Sequence, residues 1–458
     1  MSWFMAFDPT AYTTFSYREY RFSGTRFEAT FHFRLSGEAV PDIDFTEKIQ
    51  FTPGLSERVD TLRLDSLLVL LGAVLGLSYY KLAAPNEYRI DAPGLTEHAL
   101  DYLALVIQAG MAEFAYRNGL KGPLQPDIVN TAPGVASAWP KSRWREQYGD
   151  PIVPIGGGKD SVVSVELLHQ HRLHPIQFAV NANPTIRRVA LASGHPLVTA
   201  QRTIDPRLLE LNAEGGKNGH VPVTAMNSLI ALCQSRILDG GPVVMSNESS
   251  ASDETLEVEG WSINHQWSKS WEAERALQDV IGPQAGLSSE HYFSLLRPFS
   301  ELRIAGAFAK YPQYHRVATS CNRAYRMDAG DVGWCGECDK CRFVYLALSA
   351  YLAPGALRAI FGRDLLHESE QIPGYEELLG LARHKPFECV GTEAESMVAL
   401  SVAARRQEWA GHRVVAHFED VIPGLADVHE ELEHRVWSAS ADGATLPPAY
   451  QEAQGALR

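Results

Sequence analysis

The sequence lacks a basic surplus. Its 458 residues hold 41 Lys+Arg against 55 Asp+Glu, a formal net charge of −14. Proteins that grip nucleic acid or anionic lipid neutralise phosphates with basic stripes, so this balance argues against either as a general partner. A small anion is still allowed, because a local Arg or Lys group can hold one inside an acidic protein. Long apolar runs are also missing. The longest, Leu67 to Tyr80, is shorter than the roughly 20 residues that span a bilayer and is expected as a core helix. Met1 to Tyr12 has neither a basic segment nor an apolar one, so no secretory signal is expected and a cytoplasmic protein is. Cysteine is scarce: there are six, and four of them crowd between Cys321 and Cys341. Without secretion, that crowding favours metal ligation over disulfides.

What is present is ordinary for a globular enzyme, with 45% hydrophobic and 21% charged residues. At about 150 residues per domain the length suggests two or three domains. Residues 13–36 alternate aromatic and polar side chains around Ser23-Gly24, a hairpin pattern. Apolar residues at helical spacing follow near 61–83 and 95–118, and the Pro-, Gly- and Trp-rich stretch 119–149 reads as a connector. From Pro151 short apolar runs alternate with helical ones. Ile152–Ile155, Ile176–Val180, Leu197–Ile204 and Pro242–Met245 read as strands, with helices at Ser161–His171, Thr185–Ala192 and Val223–Leu238. That alternation predicts an α/β fold with a doubly wound parallel sheet. Beyond Arg342 the chain reads as helical; Thr392 to Glu395 forms a capping box opening a helix to about Trp409, and the last twenty residues read as weakly ordered. The expected division is an N-terminal α+β domain at 1–149, a nucleotide domain at 150–345 and a helical region at 346–458.

One loop carries chemistry. Ile152–Ile155 runs into Gly156, Gly157, Gly158, Lys159, Asp160 and Ser161, and an apolar helix begins at once. Glycines at a strand-to-helix turn let backbone N–H groups converge, and the helix N-terminus adds its positive end, so an anion is well received. A Walker A loop would need Gly where Val153 stands and Ser or Thr where Asp160 stands; a dinucleotide fingerprint would need Gly at Ser161. The pattern that fits is Ser-Gly-Gly-x-Asp-Ser of the ATP-pyrophosphatases (the PP-loop), with Gly156 in place of the first serine.

The second signal is the cysteine set. Cys335 and Cys338 have zinc-knuckle spacing, Cys341 follows three residues on, and Cys321 completes four thiolates, the usual closed zinc site. Such a site contributes on the order of 10 kcal/mol to folding if it resembles zinc-finger peptides. An iron–sulfur cluster is the competing occupant.

The loop, the segments at Val221–Asn227 and Ser246–Ser249, and the cysteines together resemble the cyano-deazaguanine synthase branch of the ATP-pyrophosphatases over about residues 150–345. The whole chain resembles the UDP-N-acetyl-α-D-muramoyl-L-alanyl-L-glutamate epimerase family of bacterial cell-wall synthesis. Its aromatic N-terminal hairpin, the Asn264–Lys269 segment and Lys385–Gly391 carry that likeness. The resemblance implies an isomerase that uses ATP and Mg2+, releases AMP and pyrophosphate, and turns the terminal L-glutamate of a nucleotide-linked dipeptide into D-glutamate. The chemistry is sensible: an amide nitrogen cannot form an imine with pyridoxal phosphate, and adenylation removes the carboxylate charge that makes the α-proton a poor acid.

On this reading Gly156, Gly157, Gly158, Lys159 and Ser161 hold the ATP phosphates, and Asp160 holds Mg2+ or positions pyrophosphate. Asn181, Asn227, Ser246, Asn247 and Glu248 stand at strand ends or beside them, where a doubly wound sheet presents its ligand crevice. His265, Lys269 and Cys389 are proton-transfer candidates by residue type. Arg297, Arg303 and Arg323 are candidates for substrate carboxylate or diphosphate. Trp267 and Trp271 read as a packed helix face. The rival functions are an adenylate-forming ligase or amidotransferase, a tRNA sulfur transferase, and a non-enzymatic nucleotide sensor.

Overall fold

The computed structural model describes residues 7–54, 61–134, 139, 149–253, 256–258, 260–325, 333–382, 388, 390–427, 430–440, 442–443 and 446–458. Cys389, Lys385 to Phe387 and, within the expected connector 119–149, residues 135–138 and 140–148 lie outside these. The strands are β1 Thr14–Ser23, β2 Glu28–Ser36, β3 Ile43–Gln50, β4 Glu87–Ile90, β5 Asp127–Asn130, β6 Ile152–Pro154, β7 Ile176–Val180, β8 Leu197–Thr203, β9 Val243–Met245, β10 Leu256–Val258, β11 Trp261–Ile263 and β12 Tyr292–Ser294. The chain divides into two compact units. The first comprises residues 1–152, 198–243 and 256–293, and the second 153–197, 244–255 and 294–458.

In the first unit β1 and β2 form the expected antiparallel hairpin, pairing Phe15 with Leu35 and Tyr17 with Phe33. β2 shows the two-residue period plainly: Ala29, Phe31, Phe33 and Leu35 are fully buried, and the residues between them are partly exposed. β3 pairs antiparallel with β2, and β4 and β5 add parallel strands beyond β1, giving the order β8–β3–β2–β1–β4–β5. The Thr61–Leu75 helix packs so close that a Cβ at Gly72 would stand 2.1 Å from the Tyr17 hydroxyl. Glycine at that point costs roughly 1 kcal/mol of helix propensity but admits the ring. The run Thr61–Tyr80 is mostly buried within the molecule, as expected of a core helix.

The parallel expectation holds for β6 and β9, which pair parallel, while β8 on one side pairs antiparallel with β3, Lys48 opposite Thr203. Its apolar run set the strand but carried no information on direction. A buried ion pair joins the two strands, Arg202 Nε to Glu47 at 2.7 Å, with Glu47 fully buried and Ser78 accepting a second Arg202 hydrogen bond.

The second unit has the strand order β9–β6–β7, with Ile155 N donating to Phe178 O beyond the end of β6. Helices Lys159–Gln170 and Pro184–Ser193 flank β7 in sequence, so the α/β class is present. The Glu393–Arg405 helix opens with the expected capping box, Thr392 and Glu395 bonding each other's backbone. The tail differs from expectation. Pro448–Gly455 is a helix with Tyr450 buried, and Gln454 donates to Leu295 O at 2.9 Å. Polar composition read as disorder, yet a single aromatic and a hydrogen-bonded glutamine dock it.

Candidate functional site

The glycine loop lies in the second unit, between β6 and the Lys159–Gln170 helix. Gly157 has φ +83°, a left-handed conformation that a Cβ strains, so the turn selects glycine there. Gly158 is the helix N-cap and offers no side-chain cap. Asn183, Ser300 and Thr392 do cap their helices. The first-turn N–H groups after Gly158 therefore have no side-chain acceptor at the cap, the condition under which a helix start receives an anion. Lys159 is buried and its ammonium bonds the carboxylates of Asp160 and Glu301. The Ser161 hydroxyl donates to Gly158 O at 3.2 Å.

Glu301 is in turn held by a neighbour. Its backbone N–H donates to Glu395 Oε1 at 2.6 Å, while Glu395 Oε2 accepts from Thr392 N. Burial pushes the Glu395 carboxyl up to about 7, with the Glu248 charge adding to the shift and the two Thr392 hydrogen bonds and Lys159 opposing it. Ser246 Oγ donates to Ser164 Oγ of the loop's own helix at 2.8 Å. The adjacent Asn247 is buried, with its Nδ2 donor lacking a partner. Glu248 Oε2 caps the Ser249–Ser252 turn through Ala251 N. Asn181 follows β7 in a left-handed conformation, φ +51°. Asn227 lies on Val223–Leu238 in the first unit.

The four cysteines converge as their spacing predicts. Sγ separations are 3.5 Å for Cys338–Cys341, 3.7 Å for Cys335–Cys341 and 4.0 Å for Cys321–Cys338. A tetrahedron of thiolates at about 2.3 Å from zinc has edges of about 3.8 Å, and disulfides would need sulfurs about 2.05 Å apart. The set fits a metal. It is also tied to the loop, for Thr319 N donates to Gly157 O at 3.0 Å, two residues before Cys321.

The arginine candidates all have partners within the fold. Arg297 is fully buried and donates to Glu248 O at 2.8 Å. Arg303 ties down the backbone of Trp437 and Arg458, and Arg323 pairs with Glu337 beside the cysteines. Trp267 and Trp271 do not share a helix: Trp267 lies in a 3-10 turn and donates to Glu272, and Trp271 starts the next helix.

Of the proton-transfer candidates, His265 and Lys269 lie in the first unit, just beyond β11. There the fold adds two residues that no motif pointed to. His265 Nδ1 is 2.5 Å from Glu113 Oε2, and Glu113 also accepts from Arg117 at 2.6 Å. The His220 ring lies 4.9 Å from that of His265. Burial opposes ionisation of Glu113, but the His265 hydrogen bond and the surrounding positive charge outweigh it and hold the carboxyl below its usual range. His220 goes the other way: burial, then His265, Lys269 and Lys81, push it down to about 4, Glu113 alone opposing, so its ring is neutral at pH 7. Its loop is anchored by Lys81, whose ammonium donates to Asn218 Oδ1 at 2.7 Å. Neither Glu113 nor His220 stands in a motif, so neither carried a signal in the sequence.

Comparison with known proteins follows this geometry. The MurL N-terminal domain matches residues 6–295 and the MurL C-terminal domain residues 317–433. A UDP-N-acetyl-alpha-D-muramoyl-L-alanyl-L-glutamate epimerase of Salinispora tropica is 42% identical, the match covering 97% of this chain and 96% of that protein. One of the same name from a Micromonospora strain is 43% identical, covering 95% and 94%. Another from Xanthomonas oryzae pv. oryzae is 36% identical over 90% of each. No solved structure matches the chain. With two family domains and near full-length relatives of one name, the chain belongs to the MurL family of UDP-N-acetyl-alpha-D-muramoyl-L-alanyl-L-glutamate epimerases.

Proposed function

We propose that this chain inverts the terminal L-glutamate of UDP-N-acetylmuramoyl-L-alanyl-L-glutamate during peptidoglycan synthesis, by way of an acyl-adenylate. The observation that carries the epimerase is the near full-length likeness to three proteins of that name. The adenylate route rests on the loop: an uncapped helix start, a left-handed glycine and a buried lysine suit the phosphates of ATP. Gly157, Gly158, Lys159 and Ser161 would hold those phosphates, with Asp160 meeting Mg2+, and Asn247 has a donor to spare. Lys159 would exchange a carboxylate partner for phosphate when ATP binds. Its use of ATP and a nucleotide-linked substrate fits a cytoplasmic enzyme.

The α-carbon step follows from charge. As a carboxylate the glutamyl group resists losing its α-proton, because a second negative charge would form beside the first. As a mixed anhydride with AMP it is neutral, and the electron pair left by the proton moves onto the acyl oxygen. A base and an acid then contribute about 10²–10⁴-fold each. The cysteines would hold zinc, which closes the chain around the loop and takes no part in the chemistry.

The test is incubation with ATP, Mg2+ and the L-glutamyl substrate, followed by chiral analysis of the glutamate and separation of the nucleotides. D-Glutamate with AMP and pyrophosphate is expected, and Asp160→Ala should reduce AMP formation at least 100-fold while keeping the melting temperature. ADP and phosphate as products would refute adenylation. A glutamyl amide in place of D-glutamate would establish a ligase.

A further inference from the structure

We propose that a polar cleft in the second unit holds the glutamyl end of the substrate, with Arg435 pairing the side-chain carboxylate while the α-carboxylate turns toward the glycine loop. This rests on the epimerase reading above and adds to it the residue that selects glutamate.

The cleft consists of two adjoining cavities, about 470 and about 900 Å³, that share Ser249, Ser300, Arg435, Val436 and Ser440. Cavities of this size take small-molecule ligands. Every lining residue belongs to the second unit, as does the loop. One wall is the Ser249–Ser252 turn, which follows the C-terminal end of β9, and open α/β sheets bind ligands outside the carboxyl ends of their strands. Another is the Glu430–Trp437 helix. Thr392 and the buried Glu395 line the smaller cavity. Glu395 accepts the Glu301 N–H, and Glu301 holds the Lys159 ammonium, so this end of the cleft stands two contacts from the lysine of the loop.

Two observations point to a ligand. Ser250 lines the smaller cavity and is only 6% exposed, yet its hydroxyl has no partner among the described residues. Buried hydroxyls are paired in the large majority of cases, and one left unpaired against a cavity is available to whatever enters. Arg435 is the second. It lines both cavities and has neither an ion-pair nor a hydrogen-bond partner among the described residues, whereas Arg297, Arg303 and Arg323 are all engaged. Charge decides what its guanidinium takes. Glu431, Asp253 and Asp442 stand on the same walls. One cation among three carboxylates suits a single carboxylate, which a guanidinium grips with two parallel hydrogen bonds, and repels a diphosphate. The glutamyl residue brings that carboxylate, and it is the part of the substrate that must approach ATP, because its α-carboxylate is the group adenylated.

The experiment measures binding by calorimetry without ATP. The ligands are UDP-N-acetylmuramoyl-L-alanyl-L-glutamate, its L-glutaminyl counterpart and UDP; the proteins are wild type, Arg435→Gln, Arg435→Lys and Ser250→Ala. Wild type is expected to prefer the glutamyl ligand by about tenfold or more, and Arg435→Gln to bind the two alike. Arg435→Lys should keep part of the preference, since it retains the charge and loses the fork. Ser250→Ala should bind both dipeptide nucleotides several-fold more weakly with no loss of melting temperature, because its hydroxyl bonds nothing in the fold. In turnover, Arg435→Gln should raise KM for the glutamyl substrate about tenfold, with kcat within about threefold and KM for ATP unmoved. A merely structural role would lower the melting temperature and move all three. A preference retained in Arg435→Gln, UDP affinity falling tenfold in that variant, or unchanged binding by Ser250→Ala would overturn the proposal. If wild type prefers the glutamyl ligand but releases neither AMP nor D-glutamate in turnover, the function reading falls, and the preference lost in Arg435→Gln still carries this one.

Discussion

Gly156 and Gly157 look interchangeable in the sequence and are not. A Cβ at Gly156 would meet no atom within 4 Å, whereas Gly157 occupies the left-handed region at φ +83°. Gly156→Ser, which restores the residue usual in ATP-pyrophosphatases, is therefore expected to melt with wild-type protein and retain AMP release. Gly157→Ala should cost about 1–2 kcal/mol of stability and lower AMP release at least tenfold, because the loop N–H groups turn with it. Equal effects of the two in thermal melts and nucleotide assays would discredit the loop geometry. Glu395 offers a pH test. Its folded value of about 7 stands above the usual 4.5, so its contribution to stability is complete below pH 4.5 and lost as pH rises through 7. Glu395→Gln removes that slope. Denaturant titrations from pH 4.5 to 8 should show the variant gaining on wild type by up to about 3 kcal/mol, at roughly 1.4 kcal/mol per unit; a constant difference would contradict the shift.

At the scale of elements, legibility followed pattern length. β7 and Val223–Leu238 have in the structure the bounds the sequence predicts, because one is apolar except for Gln177 and the other is a long periodic run. β3 was not read as a strand. Its inward positions are Phe45, Glu47 and Ile49, and the charge in the middle hides the alternation. Arg202 across the strand pair is what makes Glu47 tolerable in the core. Arg202→Met would leave that carboxylate buried without its partner and should cost about 3–5 kcal/mol, measured by urea unfolding; the double change Glu47→Leu with Arg202→Met should recover most of it. β4 and β5, four residues each, were too short to stand out, and β5 lies inside the stretch read as a connector.

At the scale of the whole molecule, the cysteine cluster is joined to the glycine loop by the Thr319–Gly157 hydrogen bond. One zinc per chain is expected by elemental analysis; iron with acid-labile sulfide would rule zinc out. Removing it with a strong chelator in mild denaturant should lower stability by an amount on the order of 10 kcal/mol if the site behaves as zinc-finger peptides do. Because Thr319 bonds Gly157, ATP affinity should weaken along with it. ATP binding unchanged after full zinc loss would separate the two motifs.

The sequence alone determined the α/β class, the glycine turn between strand and helix, the four clustered thiols and the family likeness, since each depends on near neighbours along the chain or on a short spacing that survives in any folded context. Tertiary structure decided the rest. The direction of β8 depends on which strand it meets, and the docking of the C-terminal helix depends on a carbonyl 159 residues away. The Glu113–His265–His220 cluster draws on segments up to 152 residues apart. Ionisable side chains acquire their working protonation only from burial and neighbours, and those neighbours are set by the fold, which no local pattern records.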